Sequence, residues 1–68
     1  MEDIQLARRI RAYRKLKGYT QTELAEKIGV STSVLGAVER GNRRAEMAMV
    51  EKLCEVLCID KSELLSNR

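Results

Sequence analysis

Apolar residues recur at helical intervals along most of this chain, and the breaks in that recurrence mark where one helix stops and the next starts. Leu6, Ile10 and Tyr13 stand at i, i+4 and i+7 with Ala7 beside them, while Arg8, Arg9, Arg11 and Lys15 fall on the other side. That pattern predicts a first helix over about residues 3–17. Lys15 and Lys17 give it a basic last turn before Gly18, a combination that suits the negative end of the helix dipole. Leu24, Ala25 and Ile28 form a second stripe, Gly29 breaks it, Val30 follows, and Leu35 and Val38 resume at i, i+3. Met47, Val50, Leu53, Cys54 and Leu57 share one face of a fourth helix over about residues 46–57, and Leu64 and Leu65 belong to a short fifth.

The helix ends are written in specific residue types. Thr20 as N-cap with Glu23 three residues on reads as a capping box, and Tyr19 with Leu24 as the hydrophobic staple that accompanies it. Gly29 stands just past the end of that helix, where a positive φ is cheapest without a Cβ. Ser31 is the expected N-cap of the third helix and Gly41 its C′ residue. Asp60 and Glu63 form a second box-like pair ahead of the fifth helix, and residues 66–68 read as a frayed end. Gly36, inside the third helix, breaks a local rule: it costs about 1 kcal/mol relative to Ala. Either something approaches the helix closely there, such as a DNA backbone, or the residue is a tolerated glycine on an exposed face.

Between Gln21 and Arg40 the apolar spacing is that of two short helices crossing steeply, with Ala25 small because the second passes close over it. Those constraints are the signature of a helix-turn-helix over about residues 20–40, and hence of a DNA-binding module. Composition agrees with a small all-α bundle: 68 residues, 44% hydrophobic, 34% charged, no Pro, and Tyr13 and Tyr19 as the aromatic residues, so the core is aliphatic. The net charge of +3 is unevenly spread. Residues 1–44 hold ten Lys or Arg against five Asp or Glu, and residues 45–68 hold three against five, so one end suits a polyanion. His is absent, and Cys54 and Cys58 lie at i, i+4 on one predicted helix without further thiolates or imidazoles. Metal binding and catalysis are therefore not expected, and the two cysteines read as packing residues. No apolar run reaches membrane length and no cleavable leader is evident, which leads to an expected cytoplasmic location.

On IRAYRKLKGYTQTELAEKIGVS, on VERG closing the third helix and on LCEVLCIDKSELL near the end, the chain resembles the lambda-repressor-like domains of the Cro and phage-repressor (Xre-type) family. The resemblance covers nearly all of it and implies a compact five-helix domain with the helix-turn-helix as helices two and three. It further implies sequence-specific binding of duplex DNA, usually as a homodimer on a palindromic operator, with helix three in the major groove. Carried over residue by residue, Gln21 matches the position that holds a phosphate at the start of helix two. Thr32, Ser33, Gly36 and Ala37 match the base-reading positions. Arg40, Asn42, Arg43 and Arg44 match the stretch that grips the sugar-phosphate backbone. Arg14 and Glu39 match a pair joining helix one to the end of helix three.

The chain departs from that family pattern in three places. The reading positions carry two hydroxyls, a methyl and no side chain, where longer polar residues are common, so readout leans on DNA shape, water and dimer spacing. Helix four lacks a Pro near its start, and Cys58 stands where Gly or Asn is usual. The leading reading is a stand-alone transcriptional regulator, a repressor, of bacterial or phage origin, with no cofactor and no small-molecule ligand. The alternative is a protein-interaction module that keeps the fold without strong base readout. With Leu53, Cys54, Leu57 and Leu64 assigned to the core, Cys58, Ile59 and Leu65 are left as an apolar patch through which two copies would pair.

Overall fold

The computed structural model describes residues 4–65, and the periodic segments become five helices: α1 (Ile4–Leu16), α2 (Gln21–Ile28), α3 (Thr32–Glu39), α4 (Met47–Leu57) and α5 (Lys61–Leu65). No strand occurs among the described residues. The expectation of a frayed end at 66–68 lies outside them. α1 packs on α3, α4 and α5, α2 packs on α3 and α4, and α5 closes the bundle against α4. No helix among the described residues is long and apolar enough to cross a membrane.

The core is aliphatic, as composition requires. Ile10, Leu24, Leu35, Leu53, Leu57, Leu64, Val38 and Val50 are fully buried, with Ala25 completely covered where α2 and α3 meet. Tyr13 and Tyr19 pack against this cluster from its margin. Cys54 is half-buried rather than fully enclosed. Burial pushes its thiol above the usual range, with Lys61 opposing and nearby carboxylates adding to the rise, so it remains a protonated packing group. Met47, expected on the inner face of α4, is 54% exposed: it is the first residue of that helix, ahead of the turn that carries Val50 and Leu53 inward.

The α2 start is satisfied as its sequence implies. Thr20 Oγ1 accepts from Glu23 N–H at 3.0 Å, and Thr20 N–H donates to Glu23 Oε1 at 2.9 Å. At α5 only half of the corresponding box forms. Asp60 N–H donates to Glu63 Oε1 at 3.2 Å, whereas Glu63 N–H donates to the Asp60 carbonyl rather than to its carboxylate.

One C-terminal device closes α2 and α4. After α2, Val30 N–H reaches the Ala25 carbonyl at 3.0 Å and Gly29 N–H the Glu26 carbonyl at 3.3 Å, with Gly29 at φ 81°. This is a Schellman motif. After α4, Ile59 N–H reaches Cys54 at 3.1 Å and Cys58 N–H reaches Glu55 at 3.3 Å, with Cys58 at φ 58°, ψ 47°. Cys58 is the sole non-glycine residue with positive φ among the described residues, and a Cβ in that region costs about 1–2 kcal/mol. The turn thus keeps the geometry of the glycine-closed ones despite its unusual residue.

Candidate nucleic-acid interface

α2 and α3 present their N-terminal ends and the outer face of α3 on one side of the bundle, and a buried polar network holds them in register. Arg14, near the end of α1, donates Nε to Glu39 Oε2 at 2.7 Å and Nη2 to Glu39 Oε1 at 3.1 Å. Its Nη1 donates to the Tyr19 carbonyl at 2.9 Å. Gln21 Nε2 adds a third bond to Glu39, at 3.0 Å to Oε1. The Arg14 and Glu39 side chains are only 10% and 2% exposed. No buried side-chain nitrogen or oxygen among the described residues lacks a partner. A bidentate, fully bonded pair of this kind fixes geometry; here it ties α1, the start of α2 and the end of α3 to each other.

Gln21 is the first residue of α2. Its backbone N–H and that of Thr22 donate to no partner among the described residues, since the first bonds at this helix start are made by Glu23 N–H to the cap side chain and Leu24 N–H to the Thr20 carbonyl. Such donors, at the positive end of a helix, suit a phosphate. The Gln21 side chain, expected to join them, is instead engaged with Glu39. Ser31 caps α3 by accepting from Val34 N–H at 3.1 Å. Thr32 Oγ1 leans toward Thr22 Oγ1 at 3.4 Å.

Of the four positions matched to base reading, Ser33 is exposed and Thr32 and Ala37 are half-exposed. Gly36 is different. It is buried, and a Cβ there would stand 3.2 Å from Arg40 Nη1 and 3.5 Å from Gln21 Oε1. The close approach inferred from its sequence position is therefore made by two side chains of the same molecule, and Gly36 itself offers no open contact surface. Arg40, grouped from sequence with the backbone-gripping stretch, folds back along α3. Asn42, Arg43 and Arg44 are exposed on the following loop, and no carboxylate among the described residues pairs with Arg43 or Arg44. The two arginines flank two grooves. One, of about 400 Å³, runs along Val30, Val34 and Met49 beside α3, so Val34 faces this groove as well as the solvent. The other, of about 380 Å³, is lined by Leu6, Ala7, Met47, Val50 and Leu65.

The expected apolar patch of Cys58, Ile59 and Leu65 is made of residues of unequal exposure. Cys58 is exposed, but Ile59 and Leu65 are half-buried and pack against the core cluster. Leu65 lines the second groove, and Cys58 and Ile59 do not. Among the described residues the large apolar side chains left exposed are Ile4 at 47%, Leu16 at 75% and Met47 at 54%; sequence reasoning placed Met47 inward and did not single out the other two. Leu16 could have been found: at six residues past Ile10 it falls off the inward stripe. Among the described residues no group of three or more His, Cys, Asp or Glu could hold a metal ion.

A family profile described as Helix-turn-helix matches residues 10–64. The Bacillus subtilis (strain 168) protein YazB, an uncharacterized HTH-type transcriptional regulator, is 53% identical over 57 residues, 84% of this chain and 83% of YazB. SinR, an HTH-type transcriptional regulator of the same organism, is 39% identical over 64 residues, which are 93% of this chain but 58% of SinR. The chain thus spans little more than half of that relative. The crystal structure of SinR, the master regulator for biofilm formation, in complex with DNA matches with a TM-score of 0.84 at 40% identity, covering 90% of this chain and 98% of that one. The restriction-modification controller protein C.AhdI from Aeromonas hydrophila gives 0.86 at 35% identity, covering 91% and 94%. The proteins this fold is shared with are transcriptional regulators, not enzymes.

Proposed function

The chain belongs to this helix-turn-helix family, and we propose that it binds double-stranded DNA in a sequence-specific way as a bacterial transcriptional repressor. In this reading α3 enters the major groove, Thr32, Ser33 and Ala37 face base edges, and Gly36 supplies space rather than contact. The Gln21 backbone N–H holds a phosphate on one side, and Asn42, Arg43 and Arg44 hold phosphates on the other. The observation that carries the reading is that, among the described residues, N–H donors at the start of α2 are without a partner and Arg43 and Arg44 without a carboxylate, the former preceding α3 in the chain and the latter following it. A relative of known structure is in complex with DNA.

The functional unit in this proposal is a two-fold homodimer on a palindromic site, with half-sites about 34 Å apart. Short reading residues discriminate weakly, and two modules combine their phosphate contacts. The acidic C-terminal part is the proposed pairing face. There Cys58 offers exposed surface, and Ile59 and Leu65 contribute edges already packed against the core. The protein acts in the cytoplasm, where the DNA is, and needs neither cofactor nor small-molecule ligand.

Selection of bound duplexes from a random pool, followed by titration of the enriched and random sequences, tests the proposal. Enrichment of a palindrome with two half-sites one turn apart is the expected outcome. Binding that never distinguishes the enriched pool from random DNA would favour the alternative, a protein-interaction module. The feature behind that alternative is the apolar groove along Val30, Val34 and Met49 beside an α3 with short outward residues.

A further inference from the structure

The outward face of α3 offers hydroxyls and a methyl, which discriminate base pairs weakly, yet a longer side chain reaches that face from beyond the helix. Arg40 follows the last residue of α3. Its Nη1 lies 3.2 Å from the point where a Cβ of Gly36 would stand, and Gln21 Oε1 and Nε2 lie 3.5 and 3.7 Å from the same point. Positions 36 and 40 are one helical turn apart and share a face. The guanidinium therefore rests on α3 over the bare backbone of Gly36, with the Gln21 carboxamide beside it.

Two further facts make this placement informative. The carboxylate adjacent in sequence, Glu39, is already taken by Arg14 and Gln21, so it does not hold Arg40. No hydrogen bond or ion pair among the described residues uses the Arg40 side chain, and the residue is exposed. A mid-helix glycine is disfavoured relative to alanine, and the space it leaves is bordered most closely by this guanidinium, with the Gln21 carboxamide next.

We infer that Arg40 is a base-reading residue, not a phosphate clamp: seated over Gly36, its planar fork addresses guanine O6 and N7 in the major groove. The inference rests on the proposed docking of α3. Arginine to guanine is the geometry in which a bidentate donor pair meets two acceptors on one base edge. Gln21, held by Glu39, borders the same space, so the network that orients the helices also lines the seat of the reader.

The test uses the full chain and a duplex enriched by the native protein, with circular dichroism melting as the check on folding. Arg40→Ala should weaken binding to that duplex by roughly 10–100-fold and random duplex by far less. A pool reselected with it should lose its preference at one G·C pair per half-site. Arg40→Lys, which keeps the charge without the fork, should retain binding to random duplex but lose the same preference. Gly36→Ala should melt no lower than the native chain, since the atom it meets is the flexible end of an arginine, and should also relax that position. Equal loss on enriched and random duplex for Arg40→Ala, with the log–log salt slope reduced by about 1 as for a phosphate contact, would overturn the inference while leaving DNA binding intact. A native chain that enriches no sequence would overturn both.

Discussion

Glu39 accepts three hydrogen bonds in a site that leaves its side chain 2% exposed, two from Arg14 of α1 and one from Gln21 of α2. Removing it would strand Arg14. Glu39→Ala should cost about 3–5 kcal/mol in chemical denaturation, whereas the exposed Lys61–Glu51 pair at 3.4 Å is worth under about 1 kcal/mol. A Glu39→Ala loss as small as that of an exposed pair would show that the network does not lock the helices. Cys58→Gly should act in the opposite direction, adding about 1 kcal/mol by removing a Cβ from left-handed backbone. Cys58 is exposed, so the substitution sacrifices little packing. At this scale much was legible, because Arg14 and Glu39 match positions that pair in the family the chain resembles. The relation of Gly36 to Arg40 was not. A glycine in sequence shows that room is needed, but which side chain uses the room depends on how Arg40 leaves α3 and on where α2 brings Gln21.

The elements were most readable where a side chain satisfies a backbone group. Thr20, Glu23 and Gly29 delimit α2 because N-terminal donors and C-terminal carbonyls must be bonded, and few residue types can do so. Thr20→Ala should lower stability by about 1 kcal/mol, read as a shift in the denaturation midpoint, with Glu23→Ala giving a smaller loss of the same sign. Less was readable where tertiary packing decides. α3 was not such a case: it ends at Glu39, and Gly41, at φ 80°, takes the expected C′ place. α5 has five residues and half a capping box, too little to stand alone. The burial of Leu64 holds it in place, and Leu64→Ala should cost about 2–5 kcal/mol and release α5 from α4.

Over the whole chain, the first 44 positions carry an excess of basic residues and the remainder an excess of acidic ones. That asymmetry was plain in the sequence. Which apolar side chains remain outside was not, because tertiary packing decides it: Ile59 and Leu65 pack against the core, while Ile4, Leu16 and Met47 are exposed. Arg43→Ala and Arg44→Ala should each reduce the log–log salt slope of binding by about 1, alike on enriched and random duplex; affinity independent of salt would remove the phosphate contacts from the account. The most direct measurement is amide chemical-shift mapping of the labelled chain during titration with an enriched duplex. The account predicts large shifts at Gln21, Thr22, Thr32, Ser33, Ala37 and residues 40–44, with the outer surface of α4 little changed. Shifts confined to the groove along Val30, Val34 and Met49, or none at saturating duplex, would contradict it.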